Sequence, residues 1–91
     1  MTLNTQQRKT LKAKAHHLKP VIQVGQKGLT DNLLQETSSA LDIHELIKVH
    51  VACDDREARK QCMADLASRS AAELVGQIGK TCILYRKSES K

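Results

Sequence analysis

Pro20-Val21-Ile22-Gln23-Val24-Gly25-Gln26-Lys27-Gly28-Leu29-Thr30 is the stretch on which the fold turns. It reads as a short strand, a four-residue bend and the start of a helix. Glycines at 25 and 28 let the backbone turn sharply, and they carry no Cβ to hold a ligand away from the amide N–H groups. The helix that begins near Thr30 leaves its first-turn N–H groups without internal partners, at the positive end of its dipole. A phosphate can dock at such a place, with Lys27 adding a full charge. The plainer reading is a strand-to-helix turn that needs its glycines and nothing more.

Upstream, residues from about Asn4 or Thr5 to Leu18 favour helix, being rich in Ala, Leu, Lys, Arg and Gln, and Lys19-Pro20 stops it. Leu11, Ala15 and Leu18 form a narrow apolar stripe at helical spacing, while Arg8, Lys12, His16 and Lys19 share another face flanked by Lys9. Downstream, Val21 to Val24 is a mostly apolar strand expected in the sheet interior. The spacing predicts a second helix over 30–41, capped by the Thr30 hydroxyl, with Leu33, Leu34, Thr37 and Leu41 inward.

Residues 44–52 alternate most clearly, with Ile47, Val49 and Val51 on one side and Leu46, Lys48 and His50 on the other. Asp54 or Asp55 then caps a helix to about Ser70 with Ala58, Cys62, Met63 and Leu66 inward. Strands over 73–78 and 81–87 flank Gly79-Lys80, which suits a two-residue hairpin. The order is αβαβαββ. Strands joined through helices should be parallel and the last pair antiparallel, giving an α/β (α+β, two-layer) domain with a four-stranded mixed sheet.

A chain of 91 residues supports one domain, spanning 1–91 with an ordered core over about 3–87. No apolar run is long enough to span a bilayer, so the expectation is a cytoplasmic protein without membrane contact, monomeric. Three cysteines, Cys53, Cys62 and Cys82, cannot all pair and match no zinc spacing, which suits reduced core thiols. Charge is placed unevenly. Residues 1–30 contain six Lys or Arg and no acid, whereas residues 31–91 contain nine against ten Asp or Glu, so the whole net charge of +5 originates in the first third. Such asymmetry points to a localised polyanion-binding surface, against the alternative of a solubilising basic helix.

Other chemistries fit less well. Cys53-Asp54-Asp55-Arg56-Glu57-Ala58-Arg59 has the cysteine-to-arginine spacing of a cysteine-dependent phosphatase. Its three carboxylates would repel phosphate and raise the thiol pKa. His16 and His17 diverge by about 100° on a helix, and His44 and His50 lie about 20 Å apart along a strand, so no metal site is expected. Tyr85 is the only aromatic residue, which argues against a base-stacking platform. The remaining reading is a backbone clamp: Gly25, Gln26, Lys27, Gly28 and Thr30 hold a sugar-phosphate, helix one supplies cations, and Lys48 and Arg86 extend the track. Glycine loops of this length clamp RNA in the KH class. A protein-binding adaptor with a basic face is the competing class.

Leu18-Lys19-Pro20, Val24 to Thr30, His44-Glu45-Leu46-Ile47-Lys48-Val49, Ile78-Gly79-Lys80-Thr81 and Leu84-Tyr85-Arg86 together resemble the CRM domain (chloroplast RNA splicing and ribosome maturation), in its stand-alone bacterial YhbY-type form. The likeness runs over about residues 3–87. It implies a fold related to the C-terminal domain of translation initiation factor three, with a KH-like glycine loop formed by Gly25 and Gly28. It also implies a basic first helix and Lys48 on the RNA face. Association with precursors of the large ribosomal subunit, hence a role in ribosome assembly, is implied by the same resemblance, and with the glycine loop beside a basic helix the expectation is a non-catalytic RNA-binding protein without a cofactor.

Overall fold

A computed structural model describes residues 3–25 and 27–87. The first helix, α1 (Thr5–Ala15), is opened by a reciprocal cap: the Asn4 side chain accepts from the Gln7 N–H at 2.7 Å, and the Gln7 side chain accepts from the Asn4 N–H at 3.0 Å. Two otherwise orphaned amides are satisfied in this way. The helix ends at Ala15, three residues before the expected Leu18. Residues 16–19 turn the chain so that it enters β1 (Pro20–Val24) in extended form, as a residue preceding proline requires.

The order then runs α2 (Asp31–His44), β2 (Leu46–Val51), α3 (Arg56–Arg69), β3 (Glu73–Ile78) and β4 (Thr81–Tyr85), the expected αβαβαββ. Strand order across the sheet is β1-β2-β4-β3. β1 and β2 are parallel, and β4 is antiparallel to both β2 and β3. β3 therefore runs in the direction of β2, as a helix crossover predicts, but β4 is inserted between them. β1 is an edge strand, not an interior one. Its burial alternates, and Val21 is 53% exposed.

Two cores hold the sheet. On one face Ile22, Val24, Ile47, Val49, Val51, Cys82 and Leu84 pack against Leu41 of α2 and Met63, Leu66 and Ala67 of α3. On the other, Ile83 and Val75 pack against Ala15 and Leu3, with Leu11, Leu46 and Tyr85 around them. The α+β architecture is as expected, a four-stranded mixed sheet with helices packed on it, and α1 takes the face opposite α2 and α3. The alternation of β2 demanded such an arrangement less than it allowed it: Leu46 needed some cover, while Lys48 and His50 did not.

Local expectations for the caps hold. The Thr30 hydroxyl accepts from the Leu33 N–H at 3.1 Å, and Asp55, not Asp54, accepts from the N–H groups of Glu57 and Ala58. Thr30→Ala is expected to cost about 1 kcal/mol, lowering Tm by roughly 4–8 °C in a thermal melt. Ala58 faces outward, contrary to expectation, since the buried row of α3 is Met63, Leu66 and Ala67. α2 runs three residues past Leu41 and stops at Glu45, whose φ of +63° no glycine announces.

Candidate functional site

The ends of β1 and β2, the Gly79-Lys80 hairpin and the start of α3 share one end of the sheet: Ala52 N–H donates to Val24 O at 2.9 Å, Val51 N–H donates to Lys80 O at 2.7 Å, and the Lys80 ammonium meets Asp54 at 2.6 Å. That lysine holds the Asp54 carboxyl below its ordinary pKa, first by the hydrogen bond and then by charge. The glycine loop lies at this end. Gly28 has φ of +74°, and its N–H donates to Gly25 O at 3.1 Å, closing the bend. A Cβ built at Gly25 or Gly28 would meet nothing within 4 Å, so the loop presents bare backbone to solvent. Lys27 is exposed, and Gln26 lies outside the described residues.

Because the Gly28 amide closes the turn, the donors available to an anion are others. Among the described residues, the N–H groups of Lys27, Leu29, Asp31 and Asn32 donate to no protein acceptor, the last two being in the first turn of α2. Thr30 serves as the cap of that turn. Behind the loop, a cleft of about 330 Å³ is lined by Val24, Gly25, Gly28, Val51, Ala52, Cys53 and Cys62.

The expected cations divide into two groups. Lys9, Lys12, His16 and Lys19 are exposed on α1 and the turn after it, and Lys48 is half-buried on the sheet face that α1 shares. The stem of Lys12 crosses Gly76: a Cβ there would stand 2.7 Å from Lys12 Cε. This glycine, at an irregularity in β3, is a feature that no local signal in the sequence marks as part of the basic surface.

Arg8 and Arg86, by contrast, are half-buried and tied to backbone carbonyls of the fold. Arg8 Nη1 donates to Leu74 O at 2.7 Å beside Glu73. Arg86 donates to Ser70 O, Ser38 O, Ser38 Oγ and Asp42, all within 3.2 Å. It follows Tyr85, which pairs with Leu46 at the opposite end of β2 from the loop. Arg86 therefore fastens helices and does not extend the basic track from the glycine loop.

The phosphatase geometry does not form. Amides at the start of α3 are taken by the Asp55 carboxylate, and Arg59 Nη1 donates to Cys53 O at 2.8 Å. Burial, then Cys53 and Asp65, push the Cys62 thiol up, and burial pushes Cys82 up to about 12. Among the described residues, no three His, Cys, Asp or Glu side chains converge on a metal position, and the His16 and His17 rings meet edge-on at 5.7 Å. No helix among them is long and apolar enough to cross a membrane.

The model of the CRS1/YhbY (CRM) domain matches residues 3–86. The chain belongs to this family. A relative in Pseudomonas aeruginosa, named a probable RNA-binding protein, is 43% identical over 88 residues, covering 97% of this chain and 85% of the relative. An RNA-binding protein of Haemophilus influenzae is 46% identical over 88 residues, covering 97% of this chain and 89% of its own. The solution structure of SAV1595 from Staphylococcus aureus, described as a candidate RNA-binding protein, superposes with a TM-score of 0.85 at 32% identity, covering 97% of this chain and 92% of that one. This CRM fold thus matches a solved structure over nearly its whole length.

Proposed function

We propose that this protein binds RNA without altering it chemically, gripping the sugar-phosphate chain at the glycine loop. The observation that carries the reading is the loop itself: Gly25 and Gly28 expose bare backbone at the entrance to α2, with Lys27 exposed between them. Open amides and a helix N-terminus suit a phosphate there. Lys9, Lys12, Lys19 and Lys48 supply further charge, and relatives named as RNA-binding proteins support the same reading. The target we propose is ribosomal RNA in precursors of the large subunit, on the strength of the family resemblance, with the protein acting as a cytoplasmic, monomeric assembly factor.

Salt titration tests the grip. Five phosphate contacts to a single strand should give a slope of log affinity against log salt near about −3.5, from ~0.7 per contact. A flat response would reject a backbone clamp. Crosslinking in cells with sequencing of the attached RNA tests the target: reads concentrated in large-subunit precursor RNA are expected, and reads spread in proportion to RNA abundance would remove the ribosomal part of the reading.

A further inference from the structure

The glycine loop and lysines address a backbone, and a backbone carries no sequence. One row of the sheet lies where bases would follow. Gln23 is in register with His50, His50 with Thr81, and Thr81 with Ile78, one residue from each of the four strands. Side chains alternate across a strand. Ile22 and Val24 around Gln23, Val49 and Val51 around His50, and Cys82 next to Thr81 all enter the core beneath α2 and α3. The row therefore faces the α1 side.

α1 does not cover it. Its core contacts are with Val75 and Ile83, and with Leu46 and Tyr85 near the other end of the sheet. Gln23 is exposed, Ile78 is 63% exposed, and His50 and Thr81 are half-buried. Three strand spacings make the row about 14 Å wide. That width spans two or three bases, as on four-stranded sheets that stack them on aromatic rings; with no aromatic residue in this row, contact here is chiefly with base edges.

The next row carries the cations. Lys48 is in register with Ile83 and Ile83 with Gly76, over which the Lys12 stem lies. Gly25, two residues after Gln23, joins the row to the loop. An amide, an imidazole, a hydroxyl and an exposed branched apolar side chain thus stand in line between positive charge and the open backbone. Amide and hydroxyl groups can donate to and accept from base edges, and imidazole and aliphatic carbons offer surface to base faces.

We propose that Gln23, His50, Thr81 and Ile78 contact the bases of a single-stranded RNA whose sugar-phosphate is held by the glycine loop, Lys12 and Lys48. This rests on the RNA reading above. Lysine charge flanking the row and its continuity with the loop favour a nucleic acid over an apolar partner.

The test measures binding of the full chain to labelled strands of about 12 nucleotides: oligouridine, oligoadenosine, and an abasic ribose-phosphate strand of equal length. Wild type should bind a base-bearing strand about tenfold tighter than the abasic one. The Gln23→Ala/His50→Ala double variant should reduce that gap to less than about threefold while leaving abasic affinity and salt slope unchanged. Because His50 is half-buried, a Gln23→Ala/His50→Thr variant, which keeps a strand-favouring side chain, is measured beside it together with thermal melts. Equal wild-type affinity for base-bearing and abasic strands would overturn the proposal, as would folded double variants that keep the gap. A failure of the RNA reading itself looks different, since wild type would then bind no strand, abasic included, at low salt. Loss of affinity for polyaspartate in the double variants, with base preference retained, would assign the row to an acidic protein instead.

Discussion

Gly28→Asp is expected to weaken RNA binding by two to three orders of magnitude while the protein remains folded. The space is open where the side chain would go, so no packing is disturbed. The backbone at φ of +74° disfavours most side chains, but Asp and Asn tolerate this region better than others, and the cost should remain below about 1–2 kcal/mol. Binding suffers for a different reason. The new carboxylate would stand within a few ångström of the docked phosphate, and two like charges about 4 Å apart near a protein surface repel by about 4 kcal/mol. Each 1.4 kcal/mol is a factor of ten. Gly28→Asn separates the two effects, because it has the same size and backbone demand without the charge. Its affinity should fall by about tenfold at most, with a Tm matching that of the Asp variant. Equal RNA affinity for Asp and Asn variants, measured beside their melts, would show that no phosphate docks at the loop.

The parts of this fold that could be read from sequence are those whose physics is local. Ile47, Val49 and Val51 alternate because one face of β2 is fully buried, each being at most 1% exposed. Thr30 and Asp55 cap helices through amides two or three residues away, and Gly79 takes the positive φ its hairpin requires. The glycine loop belongs to this class too, since its bend and openness follow from residues 25–28. Local pattern and structure part where a side chain answers to distant neighbours. Val21 looks like an interior residue because its own strand is apolar, yet no strand covers its outer edge. Which face α1 occupies depends on Leu3, Ala15, Val75 and Ile83 meeting across sixty or more positions of chain. Arg8 and Lys12 share a helix face and are equivalent by spacing, but Arg8 reaches a carbonyl of β3 and Lys12 lies over a glycine of the same strand. Charge counting locates a basic segment; only packing decides which of its charges stay in water.

Arg86 shows the same division with the largest consequence for stability. Its guanidinium joins the end of α3, through Ser70 O at 2.7 Å, to α2, through Ser38 O at 2.8 Å in the middle of that helix and Asp42 at 2.8 Å in its last turn. The partners lie 16 to 48 residues away in sequence, so no spacing rule could reveal them. Asp42 is well exposed, and its ion pair should contribute little. The carbonyls matter more, because charged hydrogen bonds are worth about 1.5–3 kcal/mol each and losing the donor leaves part-buried acceptors with poorer partners. Arg86→Ala should therefore lower stability by about 3 kcal/mol in a urea titration. Asp42→Asn should cost less than about 1 kcal/mol. Arg86→Lys should recover little, since an ammonium on a flexible stem cannot reproduce a planar fork that reaches two helices at once. At temperatures where the Ala variant is folded, its RNA affinity should match wild type. A variant as stable as wild type but deficient in RNA binding would move Arg86 back to the RNA surface and remove its assignment as the fastening between α2 and α3.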